Sequence, residues 1–113
     1  MGMGVSAAPR RGDVFLVSPE PTVGSEIRKT RPCLVVSPDE LNQHLRTVII
    51  APMTTGGHAY PFRVACRLQG RDGFVVLDQV RTVDSGRLVR RVGRLSPSAI
   101  VKALGILQEM FAE

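Results

Sequence analysis

No tryptophan occurs in this 113-residue chain, and tyrosine appears once, beside four phenylalanines. Few rings are therefore available for stacking. Cysteine is scarce as well. Cys33 and Cys66 lie in separate apolar segments, with no further cysteine or paired histidine at ligand spacing, which excludes a disulfide scaffold and a zinc site. Both read as small packed hydrophobes in a reducing compartment. No apolar run reaches spanning length, and no N-terminal stretch has the charged, apolar and small-residue order of a secretory signal. The expectation is a soluble protein of the cytoplasm with no membrane partner. Gly2 and Ser6 formally fit an acylation pattern, but no polybasic second signal follows. Internal repeats, low-complexity tracts, P-loops and dinucleotide fingerprints are all missing.

What is present is arginine. Of 15 basic residues only Lys29 and Lys102 are lysine, and against 10 acidic residues they leave a net charge of +5. Arginine suits bidentate phosphate contacts and stacking on bases, so the balance points to a polyanionic partner. The length fits one domain with one small core. Residues 1–10 are small, polar and aperiodic, which predicts a disordered arm, with a single domain over 11–113.

Along that domain, turn signals separate short β-branched runs. Arg11-Gly12-Asp13 turns into a strand over Val14 to Val17, which ends at Ser18-Pro19-Glu20-Pro21. A charged loop, Val23 to Thr30, then runs into a second strand from Arg31 to Ser37. Pro32 sets its own φ and biases Arg31 towards extended backbone, so this guanidinium leaves the scaffold in a restricted direction. Asp39 to His44 reads as a turn or one helical turn. Thr47 to Met53 is a central strand by its β-branched density, with Pro52 demoting its far end to an edge or bulge. Thr54-Thr55-Gly56-Gly57 puts two hydroxyls beside backbone that can approach a ligand closely. Further strands are expected over Phe62 to Cys66, Gly73 to Leu77 and Leu88 to Leu95. Asp78 to Asp84 continues as strand, with residues 78, 82 and 84 on one face and Gln79, Arg81 and Val83 on the other. Ser96 and Pro97 then open a helix whose stripe is Ile100, Leu104, Leu107 and Phe111, widened by Val101. The sum is a mainly β fold with one C-terminal helix, a small and strongly bent antiparallel barrel.

The order of motifs resembles the MazF/PemK toxins, the mRNA interferases of type II toxin-antitoxin systems. The matching residues are Arg11-Gly12-Asp13-Val14-Phe15, Gly24-Ser25-Glu26, Thr30-Arg31-Pro32 with the following Cys33 to Pro38, Ala51-Pro52-Met53-Thr54-Thr55, Tyr60-Pro61-Phe62 and Asp78 to Asp84. The resemblance implies an SH3-like barrel, a homodimer, and a metal-independent, cofactor-free endoribonuclease selective for sequences in single-stranded mRNA. It also implies a cognate antitoxin whose extended C-terminal segment occupies the RNA groove. By similarity Arg31 and Thr54 are the catalytic pair, Glu26 a supporting acid/base or orienting residue, and Thr55, Gln79 and Arg81 RNA-binding residues. The chain departs from the pattern at Ile27 and Lys29, where many members have Gln and Gly. Ser25 and Val76 stand where one branch places a His and an Arg held to do acid-base work, so that version of the mechanism does not carry over, and Asp78 is a doubtful base.

The chemistry can be stated independently of the resemblance. RNA carries its own nucleophile, so a metal-free ribonuclease has to align the 2′-hydroxyl, take its proton, stabilise phosphorane charge and protonate the leaving 5′-oxygen. The products are a 2′,3′-cyclic phosphate and a 5′-hydroxyl. A guanidinium suits charge stabilisation and, holding its proton at any working pH, suits the role of base badly. Thr54 offers a hydroxyl donor, Glu26 a carboxylate, and His58 the one nearby imidazole. With few rings available, base recognition is expected to lean on hydrogen bonds. The competing readings are a gyrase-poisoning toxin of related fold and a non-catalytic RNA-binding barrel.

Overall fold

The computed structural model describes residues 8–19 and 30–113. Its strands are β1 (Asp13–Val17), β2 (Arg31–Val35), β3 (Thr47–Thr55), β4 (Arg63–Leu68), β5 (Arg71–Val76), β6 (Arg81–Asp84) and β7 (Leu88–Arg94), with helices α1 (Asp39–His44) and α2 (Pro97–Met110). Short 3₁₀ turns at Leu77–Gln79 and Ser85–Arg87 bracket β6. The β-branched run that marks β3 as central does place it there. The strand order is β4-β5-β3-β2-β1-β7, with β6 also paired to β3, and every pairing is antiparallel.

Pro52 does not end β3. The strand continues through Thr55, and Pro52 pairs with Cys33 of β2. On its other edge β3 changes partner, from β6 over Thr47 to Ile50 to β5 over Met53 to Thr55. Pro52, which has no N–H to offer a ladder, falls in that gap. The same change of partner corrects the long strand expected over Asp78 to Asp84. The chain turns at Leu77–Gln79, so Asp78 and Gln79 leave the sheet, while Arg81 and Val83 keep their shared face.

The ladder does not close into a barrel. Its end strands β4 and β7 meet through side chains instead, with Gln69 Nε2 donating to Val92 O at 2.9 Å and Leu68 packed on Gly93. Alternate residues of β2 and β3 serve two apolar clusters. Leu34, Ala51 and Met53 join Val14, Val75, Leu77 and Ala103 under α2, whereas Cys33, Val35, Val48 and Ile50 join Val17 and Val83 on the opposite face. Both strands are therefore buried on two sides, which explains their uninterrupted apolar runs.

Ser96 caps α2, accepting from Ala99 N at 3.2 Å, with Pro97 in the first turn. The packed face is rotated from the expected stripe. Ala99, Ile100, Ala103, Ile106, Leu107 and Met110 meet the core, while Val101 and Phe111 are 69% and 74% exposed. Ala103 is the fully buried helix position, because a small side chain there lets the helix lie close to the sheet. No helix of the described residues is long and apolar enough to cross a membrane.

The segment before β1 is fastened by polar contacts. Asn42 Nδ2 donates to Pro9 O at 3.0 Å, and Arg11 N donates to Asp39 Oδ1 at 2.7 Å. Gly12 has φ of 98°, and a Cβ there would collide with Ile100 of α2. Next to it Asp13, 4% exposed, accepts from Arg10 N at 3.0 Å, Arg91 Nε at 3.1 Å and Arg94 Nη1 at 3.3 Å. One buried carboxylate thus ties the start of β1 to β7.

Two stability outcomes are expected. Asp13→Ala orphans the Arg10 amide and releases both guanidiniums, so it should cost about 1–3 kcal/mol; a urea midpoint equal to wild type would show that the contact contributes nothing. A Cβ on Gly73 would sit inside contact distance of the Thr54 carbonyl. Gly73→Ala must then push β5 away from β3, at about 1–3 kcal/mol, read as a lowered thermal midpoint; an unshifted one would mean the strands separate freely.

Candidate active site

The β2–β3 register decides how Arg31 and Thr54 relate. Val35 pairs with Ile50, Leu34 with Ala51 and Cys33 with Pro52. Each step towards Arg31 on β2 matches a step towards Thr54 on β3, so the two lie two positions beyond the last pair on neighbouring strands. Side chains alternate across a sheet, which puts Arg31 on the face of Cys33 and Val35, and Thr54 on that of Ile50. This is one face. Arg31 is exposed, at the edge of the second apolar cluster. Thr54 is half-buried, and its Oγ1 is buried without a hydrogen-bond partner among the described residues. A buried hydroxyl left unpaired costs about 1–3 kcal/mol, and such groups in native structures call for a partner.

More positive charge gathers on the same face. Arg81 stands opposite Ile50 on β6. Burial pushes the Cys33 thiol up to about 11, against the opposing pull of the Arg81, Arg31 and Arg87 guanidiniums. Despite those three cations the thiol stays uncharged at neutral pH. Arg87 is held in place by its Nε and Nη2, which donate to Ser18 O at 2.9 Å and Pro19 O at 2.6 Å.

The other expected residues are spread more widely. Thr55 is exposed at the end of β3, opposite Gly73, and alternation turns it away from Thr54. Both threonines border a cleft of about 410 Å³ between the β4 and β7 edges, rimmed by Gln69, Arg71 and Arg90. Gln79 is exposed on the 3₁₀ turn that leads into β6. Its neighbour Asp78 meets Arg63, with Nε to Oδ1 of 3.5 Å. His58 is exposed in the loop after β3. Glu26, with Ser25, Ile27 and Lys29, lies outside the described residues. Sequence reasoning missed Arg87 and Gly73. Arg87 was one arginine among many, and only its spacing after the Ser85-Gly86 turn could have marked it; Gly73 looked like an ordinary strand start.

The chain matches the family described as "PemK-like, MazF-like toxin of type II toxin-antitoxin system" over residues 10–111. It is 37% identical over 103 residues to the endoribonuclease PemK of Escherichia coli, covering 86% of this chain and 77% of that one. To the endoribonuclease toxin MazF of Escherichia coli K12 it is 39% identical over 75 residues, covering 66% and 68%. Among solved structures it is similar to a mycobacterial endoribonuclease in complex with its cognate antitoxin, with a TM-score of 0.74, 26% identity, and coverage of 90% of this chain and 93% of that one. Its fold also follows that of a MazE-MazF structure from Deinococcus radiodurans, with a TM-score of 0.79 at 22% identity over 95% and 98% of the two chains. The strand register, the single C-terminal helix and these matches lead to one conclusion: this chain belongs to the PemK-like, MazF-like toxin family of type II toxin-antitoxin systems.

Proposed function

We propose that this protein is the toxin of a type II toxin-antitoxin pair and an endoribonuclease that cuts single-stranded mRNA at selected sequences without a metal ion. The observation that carries this reading is the shared face of Arg31 and Thr54, with the Thr54 hydroxyl buried and unpartnered among the described residues. In the proposed reaction both side chains grip the scissile phosphate. Arg31 presents its fork of donors to the non-bridging oxygens, and Thr54 donates its hydroxyl. The adjacent 2′-oxygen attacks phosphorus in line, the bond to the 5′-oxygen breaks, and 2′,3′-cyclic phosphate and 5′-hydroxyl ends result.

Charge accumulates on the phosphorane oxygens in the transition state, so fixed donors there lower the barrier more than they tighten ground-state binding. Arg81 adds a second cation on that face, while Thr55 and Gln79 contact flanking nucleotides. Glu26 is assigned the part of the carboxylate that takes or orients the 2′-hydroxyl proton. The antitoxin reading is supported by the related endoribonuclease, which is in complex with its cognate antitoxin. A homodimer working in the cytoplasm completes the proposal.

Incubating the purified protein with single-stranded RNA in EDTA should yield a limited set of fragments with cyclic phosphate ends. RNA that is retained at low salt yet stays intact would identify a non-catalytic binding barrel, and inhibition of gyrase without any RNA contact would identify the other toxin class. Arg31→Ala is expected to slow single-turnover cleavage about 100- to 1000-fold. Arg31→Lys keeps the charge but loses the fork, and its rate should also fall well below wild type; near-complete activity would refute the bidentate grip.

A further inference from the structure

Two of the five aromatic side chains stand exposed in one loop, the connection that follows Thr54-Thr55. Tyr60 is 55% and Phe62 is 40% exposed. Isolated exposed rings are ordinary, but this pair is held in position. The Arg63 guanidinium lies over the Tyr60 ring, 4.8 Å from its centroid. Arg63 in turn is fixed from two sides. Its amide donates to Tyr60 O at 3.2 Å, and its Nε stands 3.5 Å from Asp78 Oδ1. Phe62 adopts φ of 67°, a left-handed backbone that bulky side chains rarely take. Strain of that kind persists only where surrounding contacts impose it, and it concentrates at ligand-binding positions.

The brace also joins two parts of the site. Asp78 precedes Gln79 on the turn into β6, so the Arg63 contact fastens the aromatic loop to the element that carries Gln79 and delivers Arg81. A ring backed on one face by a cation and otherwise open to solvent suits one ligand chemistry in particular, the flat face of an unpaired nucleobase. Single-stranded RNA is recognised mainly by stacking its splayed bases on such rings.

We infer that Tyr60, backed by Arg63 and flanked by Phe62, is a stacking platform for an unstacked base close to the cleaved phosphodiester, and that it contributes to the choice of cleavage sequence. This rests on the endoribonuclease reading above and adds the part that places a base. It would add stacking to the hydrogen bonds on which base recognition is expected to lean.

Tyr60 is the sole tyrosine in a chain without tryptophan, so tyrosine emission reports on this ring alone. The wild-type protein is titrated with a single-stranded RNA methylated at every 2′-oxygen, which cannot be cut, while binding is followed separately by anisotropy of a labelled copy. The expected result is a saturable change in emission with the same midpoint as the anisotropy. Tyr60→Ala should weaken binding of that RNA between about 5- and 100-fold and broaden the set of sites cut in a long RNA. Tyr60→Phe, which keeps the ring, should recover most of the loss. RNA that binds while the emission stays constant overturns the platform and leaves the nuclease reading standing, as does a folded Tyr60→Ala that binds and cuts like wild type. Failure to bind any RNA overturns both.

Discussion

Everything at the proposed site depends on the pairing of β2 with β3. Those two strands are buried on both faces, so their register is held by side-chain packing as well as by the ladder. A slip of one residue would exchange Cys33 and Val35 for Leu34 between clusters that need different shapes. Because the packing forbids that slip, it also sets Arg31 and Thr54 on one face, each two positions beyond the last pair. The apolar interior thereby positions two polar groups that it does not itself contain.

Positive charge gathers on the Arg31 face. Arg31, Arg81 and Arg87 all act on the Cys33 thiol, and burial outweighs them enough to keep it protonated. Cations on one face favour an anion that approaches it. A phosphodiester has the matching charge and the matching oxygens. Elsewhere some arginines are paired with acids: Arg91 and Arg94 close on Asp13, and Arg67 lies 3.5 Å from Asp72.

The change of partner along β3 is the second constraint. By leaving β6 for β5 around Pro52, the strand makes room for the turn that carries Asp78 and Gln79, and it brings Thr54-Thr55 against Gly73 so closely that a Cβ has no space. The loop that returns from Thr55 must then pass the same turn, where Arg63 and Asp78 join them. The end of β3 and the aromatic loop are consequently joined through one turn.

Most of the strands, the cap of α2 and the extended backbone at Arg31 were legible in the amino-acid order, because they follow from local rules: β-branched runs, turn dipeptides, a Ser-Pro start and the restriction that Pro32 imposes on its neighbour. Residues such as Asp78 and Gln79 were misplaced on a strand because alternation looks the same whether or not a partner strand is available, and availability is decided by β3 alone. The helix stripe was misjudged by part of a turn for a similar reason, since Val101 and Phe111 are as apolar as Ile100 and Leu107 and only the shape of the sheet selects between them. The chain by itself therefore determined which residues could do chemistry. Which of them share a face, that three guanidiniums act on one thiol and that Tyr60 is braced by Arg63 were decided by tertiary structure, because these relations join residues far apart in the chain or across a turn whose geometry no local pattern encodes.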